Sequence, residues 1–154
     1  MKKIMSKMLA LMAICTVLFS FTPPKESSRT KPGGEGFEIF LNDKLLVQRF
    51  GNNMDNTAAL SLSSAGTTDK LIIKYHHCGQ IGKKRVITIK DAQNNVLKTY
   101  WYNDEGKPIL GIEVPVKDII DLKKGNTVLK LYYSSAELPN GRMLVSINTA
   151  RQVV

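Results

Sequence analysis

The sequence predicts an all-β protein: an antiparallel β-sandwich, immunoglobulin-like or jelly-roll, of about nine short strands. Three observations carry that reading. From Phe37 onward apolar residues recur with a period of two, the spacing of a strand with one buried face. Clusters of Gly, Asn, Asp and Pro break the pattern at short intervals, as in sandwiches and barrels. No segment keeps a helical period over a useful length. Several strands retain a polar face, so two sheets must each bury the other, which favours a sandwich over a barrel.

The elements follow in order. Phe37, Ile39 and Leu41 alternate with Glu38 and Asn42, the turn Asn42-Asp43-Lys44 follows, and Leu45 and Val47 alternate with Gln48 on the return. This is a hairpin signal. Residues 51–56 are turn formers. Ala58, Leu60 and Leu62 then alternate with Ala59, Ser61 and Ser63. The run LIIKYHHC from Leu71 to Cys78 is a strand. Arg85 to Asp91 is another, with Ile87 and Ile89 on one face and Thr88 on the other. Asn94-Asn95 turns the chain into Val96 to Tyr102, where Leu97, Thr99 and Trp101 share a face. That spacing places Trp101 in the core and turns Tyr100 and Tyr102 outward. A second turn falls at Asn103-Asp104-Glu105-Gly106. In the strand from Leu110 to Val116, Pro115 cannot donate to a ladder, which predicts a sheet edge or a bulge. Lys117 to Leu122 reads as one helical turn crossing between sheets. Val128 to Ser134 and Arg142 to Asn148 complete the set.

Ahead of these strands lies a different kind of sequence. Lys2, Lys3 and Lys7 form a positive head, and Met8 to Phe21 carries no charge. The run suits a signal-peptide core and is short for a membrane span. Residues 1–22 are therefore read as a signal peptide, which predicts export to the periplasm, the cell surface or the medium. Cleavage is expected between about residues 21 and 30, near the end of the apolar run. Cys15 sits inside that run after Ile14, so it reads as a residue discarded with the signal rather than a lipid acceptor. Residues 23–36, PPKESSRTKPGGEG, are polar and aperiodic and read as a disordered leader. Residues 37–154 form one domain.

The chain has 22 basic and 13 acidic residues, for a net charge of +9. The signal accounts for three lysines, which leaves a mature chain at +6. A diffuse positive surface suits anionic polymers or membrane surfaces. Sparse interleaving of aromatic and basic residues argues against specific nucleic-acid binding. Without its signal the chain has one cysteine, Cys78, so no disulfide forms within it. The apolar strand Leu71 to Ile73 that leads to Cys78 predicts a buried, structural thiol.

Candidate chemistry is thin. Tyr75-His76-His77-Cys78 is the only dense cluster of ligand types. On a strand His76 and Cys78 share one face, with Tyr75 and His77 on the other. A zinc site needs three or four convergent ligands, so no metal is expected. The same pair lacks the geometry of a nucleophile and base, and no catalytic residue is assigned. The loop Gly79-Gln80-Ile81-Gly82-Lys83-Lys84 joins two strands, lacks phosphate-loop spacing and opens no helix. Asp104-Glu105-Gly106 lacks the full calcium-loop pattern and reads as a turn. No cofactor is implied.

The stretch KYHHCGQIGKKRVITIKDAQNNVLKTYW, with PVKDIIDLKKGNTVLKLYYSS after it, resembles a group of uncharacterised small exported bacterial proteins. The shared features are an H-C-G-Q turn, an I-T-I-K-D strand and a strand like L-K-L-Y-Y. The resemblance covers roughly Phe37 to Asn148. It implies a fold-sized unit and no catalytic or ligand residues.

The expected function is a non-enzymatic binding module of the cell envelope or extracellular space. The alternative is a structural envelope component without a small ligand; an enzyme comes third. Any binding surface is expected at the basic loop, with Lys83, Lys84 and Arg85, or along Tyr100, Tyr102 and the turn to Lys107. The partner suggested is an anionic glycan or envelope surface.

Overall fold

The computed structural model describes residues 34–102, 111–125 and 128–148. Residues 1–33, which take in the expected signal peptide and most of the expected leader, and the turn after Tyr102 lie outside the described residues. The strands are β1 (Gly36–Leu41), β2 (Lys44–Phe50), β3 (Ala58–Leu60), β4 (Lys70–His76), β5 (Arg85–Lys90), β6 (Val96–Tyr102), β7 (Ile112–Pro115), β8 (Val128–Ser134) and β9 (Arg142–Asn148). Among the described residues one α-helix, α1 (Val116–Lys123), links β7 to β8.

The strands form a four-stranded sheet, β2-β1-β4-β7, and a five-stranded sheet, β3-β9-β8-β5-β6. Pairing is antiparallel throughout, apart from β3 alongside β9. The chain is thus a β-sandwich. Phe37, Ile39, Leu71, Ile73 and Val114 from the first sheet meet Ile87, Ile89, Leu131, Val145 and Ile147 from the second, each almost fully buried. Such a side chain stabilises by about 1.5–3 kcal/mol relative to exposure. The core is continuous across both sheets.

Pro115 ends β7 on a sheet edge, where its missing N–H leaves no ladder bond unmade. It also caps α1, which carries the chain from one sheet to the other. Val116 and Ile119 of α1 are buried. Asp118 in the first turn and Lys123 in the last complement the helix dipole.

Three bulges break the period-two pattern. Ile39 pairs with Val47 but Phe40 with Leu45, so Leu46 is the extra residue of β2. Ile89 pairs with Lys98 but Lys90 with Val96, leaving Leu97 extra in β6. Leu131 pairs with Val145 but Tyr132 with Met143, leaving Leu144 extra in β9. Each extra residue is a leucine packed into or against the core, and each changes which of its neighbours face inward.

Two sequence expectations are corrected here. Trp101 is not core: it is 78 % exposed. Leu97 turns inward only because it is the bulge residue, and beyond it the alternation resumes with Lys98, Tyr100 and Tyr102 opposite inward-facing Ile89, Ile87 and Arg85. Trp101 therefore falls outside. Cys78 is not buried either; it is exposed. The strand ends at His76, and His77 and Gln80 exchange both backbone hydrogen bonds around the tip. Cys78 and Gly79 lie at φ +50° and +85°, the requirement of a type I′ hairpin turn. A residue at such a tip points to solvent whatever the strand before it buries.

Candidate functional site

The outer face of the five-stranded sheet carries a cleft of about 350 Å³. Its floor follows from the register. Trp101 of β6 lies beside Val86 of β5, and Ser134 of β8 is next to Val86. The next row is Thr99, Thr88 and Tyr132. The third is Val96, Lys90 and Lys130. The turn Pro139-Asn140-Gly141 lines one wall. Gly141, at φ +68° and against the Tyr133 carbonyl, lets that turn close over the strand.

The cleft is hydroxyl-rich and aromatic. Val86 is 8 % exposed although it faces outward, and it stands apart from the core. Lys90 Nζ sits 4.3 Å from the centre of the Tyr132 ring, a cation–π contact. Lys130 Nζ donates to the Ala92 carbonyl and to Asn94 Oδ1 at 3.0 and 2.8 Å. These bonds hold the β5–β6 turn, where Asp91 accepts from the Asn95 backbone and side chain at 2.8 Å each. The Asn95 bonds keep the Asp91 carboxyl below its ordinary range, and nearby Lys130 adds to the effect.

The residues singled out by sequence do not form one surface. Lys83 and Lys84 are exposed, but Arg85 is 6 % exposed. It is the first residue of β5 and takes an inward position opposite Tyr102, whose ring centre is 5.7 Å from its guanidinium. The basic triplet is thus split by the strand's own alternation. Tyr100 and Tyr102 are partly buried and packed against the core. Tyr100 donates to Asp118 Oδ2 at 2.7 Å, and Lys98 Nζ is 2.7 Å from the same atom. Burial and the Asp118 bond push the Tyr100 hydroxyl above its ordinary pKa. The Lys98 bond, then the Tyr100 bond, hold Asp118 below the usual carboxylate range.

The histidines divide as the strand alternation requires. His76 faces outward, 3.4 Å from Glu38, with its ring tilted 35° against Phe50 at 5.8 Å. His77 lies at the end of the core, with Nε2 3.0 Å from Tyr133 Oη and 3.2 Å from Ser135 Oγ. Nearby, Tyr75 Oη donates to Glu35 Oε1 at 2.5 Å, and Glu35 pairs with Arg142 at 3.4 Å. Burial, then the Glu35 bond, raise the Tyr75 pKa. Glu35, assigned by sequence to the leader, thus bonds two residues of the sandwich. Ser135 is buried and accepts the Leu138 N–H, and the Gly82 backbone covers Tyr133 Oη and His77 Nε2. This cluster closes one end of the core, with Ser135 and Tyr133 buried and His77 partly exposed. Among the described residues, no three His, Cys, Asp or Glu side chains converge as a metal site would require.

The fold and its outer cleft thus define a two-sheet β-sandwich carrying an exposed aromatic platform. No protein-family model, curated protein or solved structure matches the chain.

Proposed function

We propose that this protein is an exported, non-enzymatic binding module of the cell envelope or extracellular space, and that the outer face of its five-stranded sheet is the binding surface. The observation that carries the reading is Trp101, 78 % exposed at the cleft and fixed on a paired strand. A tryptophan carries roughly 200 Å² of surface. Covering one ring face, about half of that, returns on the order of 2–3 kcal/mol at about 25 cal/mol per Å². The backbone beneath is already ordered, so little entropy is lost on binding. The positive, apolar N-terminal segment supports export.

The test is a survey of the purified protein against immobilised glycans and envelope fractions, repeated with Trp101→Ala. The expected result is retention by at least one glycan or envelope fraction that the variant loses while its thermal unfolding is unchanged. Retention identical in the variant, or no retention on any matrix, overturns the assignment.

A further inference from the structure

Resting on the reading of this face as a binding surface, we propose that its ligand is an acidic polysaccharide. A sugar ring face stacks on Trp101, and a carboxylate or sulfate further along the same chain meets Lys90.

The outward positions of β5, β6 and β8 carry two cations, Lys90 and Lys130, and no aspartate or glutamate among the described residues. The opposite sheet differs. There acids stand among the cations: Lys70 meets Glu113 at 2.7 Å and His76 meets Glu38 at 3.4 Å, while Lys74 rests on the Phe40 ring. The acid closest in sequence to the cleft wall, Glu137, accepts the Lys83 amide proton at 2.9 Å, and that bond lowers its pKa. Lys130 is held by Ala92 and Asn94. Lys90 rests only on the Tyr132 ring, a contact a stronger anionic partner replaces without leaving an acid unpaired. Lys90 is therefore the cation that reaches a ligand.

From the Trp101–Val86 row to the Lys90 row is four residues along β5, roughly 13 Å at strand rise. That span exceeds one sugar ring and suits a short run of them. Between the two ends lie the hydroxyls of Thr88, Thr99 and Tyr132, which donate to or accept from sugar hydroxyls. Single-stranded nucleic acid fits less well. It needs successive stacking platforms, and here Tyr132 already lies under Lys90, leaving Trp101 alone.

The experiment measures binding of the purified protein to polygalacturonate, to its carboxyl-reduced neutral form and to oligo-dT, across a salt series. Lys90→Gln, Trp101→Ala and, as a charge-matched control on β2, Lys44→Gln are compared with the parent. Polygalacturonate is expected to bind and to weaken as salt rises. Lys90→Gln should weaken it by about fivefold, the upper range for one exposed charge pair. Trp101→Ala should abolish it, and Lys44→Gln should leave it unchanged. Equal binding of the neutral polymer, or an unaltered affinity in Lys90→Gln, overturns the acidic ligand while the binding face stands. Tighter binding of oligo-dT overturns it in favour of nucleic acid. If Trp101→Ala binds polygalacturonate as the parent does, the binding face itself fails.

Discussion

Tyr75 and Tyr133 lie face to face across the sandwich, their ring centres 4.1 Å apart and their planes 6° from parallel. One ring comes from each sheet, so the stack joins the two layers at the end where β4 turns back into β5. Phe37 extends it at 6.5 Å from Tyr75, and His77 packs against both tyrosines. With no disulfide in the described structure, aromatic packing of this kind fixes how the sheets meet.

Removing that stack should therefore be among the costliest single changes. Tyr133→Ala is expected to lose about 3–5 kcal/mol. Tyr133→Phe keeps the ring but loses the hydroxyl contact with His77, at about 1 kcal/mol. Gly82→Ala places a methyl group against Tyr133 Oη and His77 Nε2, and should cost about 1–3 kcal/mol by overpacking. Denaturant unfolding of the three variants checks the order.

Asp118 ties α1 to the edge strand through Lys98 and Tyr100. Its folded pKa is depressed, so its contribution to stability is present above the unfolded value of about 4. That contribution disappears as pH falls through the lower folded pKa. Asp118→Asn should cost about 1 kcal/mol at pH 7. The gap to the parent should narrow steadily below about pH 4 as the parent's carboxylate protonates. Unfolding followed at pH 7, 5 and 3 reads this directly; a gap that widens on acidification contradicts it.

Cys78, at the tip of a turn and exposed, should react with a thiol reagent in the native protein as fast as in the unfolded chain. Cys78→Ala should change stability by no more than about 0.5 kcal/mol, as at other open surface positions. Cys78→Gly should be neutral or slightly stabilising, because glycine adopts positive φ without a side-chain clash. Slow labelling of the native state would show the thiol shielded.

The layers, the strand count and most of the inward faces were legible from alternation alone. Phe37 and Ile39, Ala58 and Leu60, and Ile87 and Ile89 all lie where period two puts them. Pro115 lies at a sheet edge, one of the two places its missing N–H allowed. What alternation could not show were the three bulges. A leucine at the extra position looks like any other apolar residue in a strand, yet it shifts the phase of its neighbours. That is why Leu45 is 44 % exposed and why Trp101 and Tyr100 exchange faces. The face proposed for binding was hidden for the same reason, since the aromatic assigned to the core is the one presented to solvent. The Cys-Gly pair after His77 was a turn signal in the sequence, and the apolar strand before it masked that signal.

An exposed tryptophan held for binding should be dispensable for folding. Trp101→Ala is expected to shift stability by no more than about 0.5 kcal/mol, against several for Tyr133→Ala. Thermal unfolding of the two side by side separates the platform from the core stack. A large loss in Trp101→Ala would make the residue a packing element.

The outer cleft as the binding face is tested most directly through Trp101 itself, the only tryptophan in the chain. The measurement is its fluorescence emission during titration with a glycan or envelope fraction that the protein retains. The free protein should show a solvent-exposed emission maximum, and ligand should bring a saturable blue shift whose midpoint matches the binding isotherm. Binding that saturates while the Trp101 emission stays unchanged would place the ligand elsewhere and contradict the account.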